Sequence, residues 1–260
     1  MKTIMKIKAL ILIGLIISLG CQKSQNSNKS DKPHTINESQ SDNKGFSTQS
    51  YAVVWDWTKG NTIENIIPII QKQVPAILDL WRKGIIENAY VDNESKLNKR
   101  ENYPNAFFVI KGKNEESVRS ILNKTPAYIA GITKYKLYPI GQKWLKRNDK
   151  AMQKAQESKN SFAVVWKPIV YDKKYEQFTG EQSIEIMKLW NDGVIENAYL
   201  NVENIQEKDL QKPALVFFIN ASSKENASKI LDQLPFVKQE IGEYFLYSVG
   251  NFWMSTPDDI

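Results

Sequence analysis

The chain has one cysteine, Cys21, and one histidine, His34, and both stand near its start. The sequence beyond His34 therefore cannot form a disulfide and has no thiol nucleophile. It also lacks the imidazole that Ser-His-Asp and Cys-His catalysis and the common zinc sites require. Gly-rich phosphate loops, nucleophile elbows and metal-ligand clusters are missing as well, so no cofactor and no metal is expected. An excess of one charge is weak. The formal net charge is +6, and three of those charges (Lys2, Lys6, Lys8) precede Gly20 in a stretch without acids, which leaves +3 for the rest. Basic runs with interleaved aromatics do not occur, and nucleic acid is not an expected partner. At 42% hydrophobic and 25% charged, the chain has ordinary globular composition.

The N-terminal segment looks like an address. Three lysines precede an apolar run from Ala9 to Leu19, followed by Gly20 and Cys21. That run has signal-peptide length and is shorter than the ~20 apolar residues a membrane span needs. Ser18-Leu19-Gly20-Cys21 resembles a bacterial lipobox, which implies cleavage before Cys21 and lipidation of its thiol. Residues 1–20 are thus expected to be a lipoprotein signal peptide. Residues 21–49 are rich in Ser, Asn, Gln and Lys, too polar to offset chain entropy by burial. They are expected to form a disordered tether, with His34 solvated in it. The expected location is the bacterial cell envelope, with the chain held by lipid to a membrane outside the cytoplasm.

An internal repeat organises the remainder. Leu80-Trp81-Arg82-Lys83-Gly84-Ile85-Ile86-Glu87-Asn88-Ala89-Tyr90 matches Leu189-Trp190-Asn191-Asp192-Gly193-Val194-Ile195-Glu196-Asn197-Ala198-Tyr199 at an offset of 109. The same offset joins Phe108 to Phe217, Pro126 to Pro235, Tyr138 to Tyr247, Gly141 to Gly250 and Trp144 to Trp253. Upstream, Ala52–Trp55 matches Ala163–Trp166 at an offset of 111. Residues 50–146 and 161–254 are read as two copies, with 147–160 a linker and 255–260 a tail.

Each copy reads as β-α-β-β-α-β. Strands are predicted over Tyr51–Trp55, Ile85–Val91, Ala106–Ile110 (Leu215–Ile219 in the second copy) and Lys134–Tyr138. A helix is predicted from Thr179, with Gln182 at capping-box spacing and Gly193 as its stop. Pro75 predicts a short first helix in the first copy, with a break at Pro68. Ser222-Ser223-Lys224-Glu225 opens a helix running to about Leu234. The βαββαβ order is the ferredoxin-like plan. Ala106–Ile110 and Leu215–Ile219 are apolar on both alternating faces, so both faces should be covered. The copy's own helices cover one, and the other copy, sheet to sheet, covers the second. The expected fold is α+β: two tandem ferredoxin-like repeats packed as a pseudo-dimeric α/β barrel. Oligomeric state is not legible.

These units resemble the dimeric α/β-barrel superfamily and are most similar within it to muconolactone isomerase-like proteins. The residues carrying the resemblance are the Gly84 turn, Phe107-Phe108, Ile230-Leu231-Asp232-Gln233-Leu234-Pro235-Phe236 and Leu137-Tyr138-Pro139-Ile140-Gly141. The resemblance implies the fold. The His-Pro that such isomerases tend to carry near the last strand is replaced by Tyr138-Pro139 and Tyr247-Ser248.

Glu87 and Glu196 stand between apolar strand neighbours. A desolvated carboxylate there could act as general base in lactone-type proton transfer, or be structural. By strict alternation Glu87 faces with Ile85 and Ala89, while Asn88 and Asn197 face the other way with Tyr90 and Tyr199. Trp81, Tyr90, Trp190 and Tyr199 are candidates to line a pocket for a small apolar or cyclic ligand, or to pack the core. The leading expectation is a lipid-anchored ligand-binding module. An isomerase-like enzyme and an envelope structural or interaction protein are the alternatives.

Overall fold

The computed structural model describes residues 48–58, 60–92, 105–158 and 160–252. The signal segment with Cys21, the tether with His34, and Trp253 lie outside them. Among the described residues no helix is long and apolar enough to cross a membrane.

Eight antiparallel strands close into a barrel flanked by helices. In chain order they are β1 (Gln49–Trp57), β2 (Ile86–Asp92), β3 (Asn105–Gly112), β4 (Thr133–Leu145), β5 (Ser161–Pro168), β6 (Ile195–Leu200), β7 (Leu215–Asn220) and β8 (Gly242–Phe252). The order around the barrel is β1-β3-β2-β8-β5-β7-β6-β4. Two four-stranded sheets, one from each half of the chain, therefore meet at two seams. At one seam β2 pairs β8 through Tyr90↔Phe252 and Val91↔Asn251. At the other β4 pairs β6 through Gln142↔Leu200, Lys143↔Tyr199 and Leu145↔Ala198.

The last strand of each half is longer than the predicted Lys134–Tyr138 because it bends and runs on into the other sheet. Gly141 (φ +92) is the enabling residue: a Cβ there would lie 2.3 Å from the Leu200 carbonyl oxygen. Only glycine allows β4 to approach β6 so closely.

The first helix, α1 (Ile63–Arg82), is continuous through Pro68 and Pro75, where the sequence predicted a break and a short helix. Its buried face, Ile66, Ile77 and Trp81, is anchored along the whole length, and tertiary burial outweighs the local proline cost of ~3 kcal/mol. Short α2 (Glu115–Leu122) and α3 (Pro126–Ile129) precede β4. The segment read as a linker contains α4 (Asp149–Ser158), whose Ala151, Met152 and Ala155 are buried. The next helix, α5 (Lys173–Asn191), starts six residues before Thr179. Asp172 caps it by accepting from the Tyr175 amide at 3.0 Å, while Thr179 bonds the Tyr175 carbonyl instead. Gln182 is not a capping residue; buried, it accepts from the Phe236 amide, as Gln73 accepts from that of Ala127. A short α6 (Val202–Glu207) interrupts the polar loop after β6. Ser223 caps α7 (Lys224–Leu231), which stops three residues short of Leu234 because α8 (Pro235–Lys238) begins a new turn.

Strand alternation separates outer packing from inner packing, and outward-facing Val53, Phe108 and Ile110 of the first half are buried as well. Outward-facing Phe162, Val164, Trp166, Phe217 and Ile219 pack under the helices with Ile186 and Leu231. Inward-facing Ala52, Tyr90, Val109, Ala163, Tyr199, Val216 and Phe218 fill the barrel, with Phe107 and Val165 against them. Both faces of β3 and β7 are thus covered, and the inner cover comes from the opposite half.

Candidate functional site

The barrel interior is aromatic at its centre. Phe218 stacks on Tyr90 with centroids 5.1 Å apart and meets Phe107 at 5.6 Å and Tyr199 at 6.2 Å. Polar groups surround this stack because β2 and β6 are not regular. Ile86 pairs Ile110 and Asn88 pairs Val109, so Glu87 is the extra residue of a bulge; Ile195, Glu196 and Asn197 repeat the pattern. A bulge sets two residues against one and re-aims a side chain. Glu196 and Asn197 therefore both turn inward, between outward Ile195 and Ala198. The strict alternation that set Asn88 and Asn197 opposite the glutamates does not hold here.

Glu196 is fully buried. Tyr90 from the other half donates to Oε2 at 2.6 Å, and Ser161 donates to Oε1 at 2.6 Å. Burial pushes its carboxyl up to about 7, opposed by the Ser161 and Tyr90 hydrogen bonds and by the Arg147 charge. Burial and the adjacent Glu196 raise the Tyr90 hydroxyl well above its ordinary value. Arg147 is itself pushed down to about 10 by burial, against the pull of Tyr90 and Glu196.

Glu87 is apart from this group. It accepts from Ser50 at 2.8 Å and pairs Lys143 Nζ at 2.8 Å. Asn88 Nδ2 donates to the Tyr199 hydroxyl at 3.0 Å, and Asn197 Nδ2 donates to that of Tyr90 at 3.4 Å. Both contacts cross between the halves.

Of the four aromatic candidates, Tyr90 and Tyr199 are in the barrel, while Trp81 and Trp190 brace the segment after β4. Arg147 is 5.0 Å over the Trp81 ring, and Trp190 Nε1 donates to the Lys146 carbonyl at 2.9 Å. Sequence reasoning missed Ser50 and Ser161, though they stand two residues before the matched Ala52 and Ala163. It also missed Lys143 and Arg147, which carry no periodic signal. Among the described residues no group of three or more His, Cys, Asp or Glu could hold a metal.

A second feature is at the rim. Among the described residues, β8 is paired with β2 only at its last turn of strand, so the stretch from Glu243 to Ser248 has its ladder in β5 alone. Phe245 and Tyr247 pair Val165 and Ala163, which places them on the barrel-facing side, yet they are 41% and 55% exposed. Lys167 Nζ stands 5.7 Å over the Phe245 ring. Tyr138, opposite Ala52 on β4, is 48% exposed on the same side of its own sheet.

No family model and no curated protein matches the chain. Among solved structures it is similar to a chlorite dismutase variant from Candidatus Nitrospira defluvii, at 10% identity and a TM-score of 0.49 over 82% of this chain and 92% of that one. A candidate monooxygenase from Lactobacillus acidophilus gives 11% identity and a TM-score of 0.42 over 78% and 92%.

Proposed function

We propose that the chain is a lipid-anchored binding protein of the bacterial envelope. Its folded part is an internal duplication of one ferredoxin-like unit, a pseudo-dimeric α/β barrel of muconolactone isomerase type. It holds a small apolar or cyclic ligand at the barrel rim. The observation that carries the reading is the pair Phe245 and Tyr247, exposed on the barrel-facing side of β8 beside Lys167. Barrel mouths are common ligand sites, and each aromatic contact adds about 0.5–1.5 kcal/mol beyond area burial. Tyr90 and Tyr199 pack in the barrel itself, while Trp81 and Trp190 hold the segment after β4.

Anilinonaphthalene sulfonate, an anionic fused-ring dye, is a suitable probe. Replacing both Phe245 and Tyr247 by Ala is expected to weaken its binding by about tenfold, the equivalent of ~1.4 kcal/mol, with the melting temperature unchanged because both side chains are exposed. Unchanged dye affinity would count against the rim.

The anchor rests on Cys21. Cys21→Ser is expected to abolish metabolic lipid labelling and move the protein from the membrane to the soluble fraction. Retention with undiminished labelling would remove the anchor from the proposal.

One feature favours the isomerase alternative: burial pushes the Glu196 carboxyl up to about 7, the range in which general bases work. Against it, both Glu196 oxygens are engaged and none of its surface meets solvent, whereas a base must reach the proton it removes. If a lactone substrate is turned over, Glu196→Gln should lower kcat by about 10²–10⁴-fold; full turnover in that variant would make Glu196 structural.

A further inference from the structure

Asn88 and Asn197 are both 0% exposed, and both project into the barrel from bulge positions. Each spends its amide nitrogen on a tyrosine hydroxyl of the other half. Among the described residues nothing donates to Asn88 Oδ1 or Asn197 Oδ1. Tyr199 accepts from Asn88, and no described residue accepts the Tyr199 hydroxyl proton. Turning the Asn197 amide over would not relieve it. Tyr90 already gives its one proton to Glu196 Oε2 at 2.6 Å, so towards Asn197 it accepts, and the Asn197 NH2 must face it.

Among the described residues, Asn88 Oδ1, Asn197 Oδ1 and the Tyr199 hydroxyl proton are therefore left over beside the aromatic stack. Buried polar groups in folded proteins almost always have partners, and an orphan in a native interior commonly marks a bound water or ion. A guest here must donate to carbonyl oxygens, accept from a phenol and fit beside Phe218, the cross-strand partner of Asn197. Water meets all three conditions and, with three such partners, is held as internal waters usually are. We infer that the barrel interior holds internal water, one molecule or a hydrogen-bonded pair. It donates to Asn88 Oδ1 and Asn197 Oδ1 and accepts from Tyr199. It gives the two halves a polar junction in the middle of their apolar contact, separate from the rim site.

A high-resolution crystal structure of the full chain tests the inference, together with deuteron and oxygen-17 relaxation dispersion of its solvent, which counts long-lived internal waters. Density at hydrogen-bond distance from both Oδ1 atoms is expected. The Asn88→Leu/Asn197→Leu variant, similar in volume but without polar atoms, should lose one or two long-lived waters relative to the native chain. If that variant does not fold, the native density and amide-to-water cross-relaxation at Asn88 and Asn197 decide alone. Protein donors on both oxygens, an unchanged water count in a folded double variant, or a cation in place of water would overturn it.

Discussion

A fragment of residues 48–150 is expected not to exist as a cooperatively folded monomer. It contains β1 to β4 and α1 to α3, all of one sheet and its helices. Cutting there strips the inner cover from Tyr90, Phe107, Val109 and Ile140, which pack in the barrel against Tyr199, Val216 and Phe218. Leaving large apolar side chains in water costs about 1.5–3 kcal/mol each, so a few of them exhaust a typical domain stability of 5–15 kcal/mol. The cut also frees the seam edges of β2 and β4 and leaves Tyr90 without Glu196. A homodimer in which a second copy supplies the missing sheet is the one folded state open to it. Sedimentation and thermal melting report the outcome. Aggregate, unfolded chain or dimer is expected, and a monomer with a sharp melt would contradict the interdependence of the halves.

Stability should fall between about pH 4.5 and pH 7 because of Glu196. Its folded value, raised by burial to about 7 from 4.5, means that the folded state holds the proton more tightly than the unfolded chain. The stabilisation is complete below the unfolded value and is lost as pH rises through the folded one. At 1.36 kcal/mol per pKa unit, the loss is about 3 kcal/mol. Above neutrality the ionised carboxylate remains buried, held by Tyr90, Ser161 and the Arg147 charge. Denaturant unfolding at pH 5 and pH 8 checks this: Glu196→Gln should show a pH dependence smaller by that amount. Parallel curves for the two proteins would mean that Glu196 is ionised throughout the range.

The strand cores at Ala106–Ile110 and Leu215–Ile219 were legible, because apolar residues on both faces of a strand demand two covers. The orientation of the site was not legible. Period-two alternation assigns Glu196 and Asn197 to opposite faces, and a one-residue bulge, which has no compositional mark, puts both inside. The extension of β4 past Gly141 was equally hidden, since Gln142-Lys143 reads as polar loop until β6 is alongside to pair with it. Pro68 and Pro75 misled for the opposite reason: a local breaker signal was overridden by the buried face of α1. Asp172, not Thr179, starts α5, and only the bond to the Tyr175 amide distinguishes the two caps. The exposed aromatic rim depends on where β8 parts from β2, which no single-strand pattern reports.

The binding reading is tested most directly by asking where an apolar cyclic ligand sits. Side-chain chemical shifts of the aromatic residues, followed by NMR while anilinonaphthalene sulfonate is added to the native chain, locate it. Saturable shifts at Phe245 and Tyr247, with Tyr90 and Tyr199 unmoved, are the expected result. Shifts centred on Tyr90 and Tyr199 with the rim unmoved would place the ligand inside the barrel beside Glu196 and contradict the rim site.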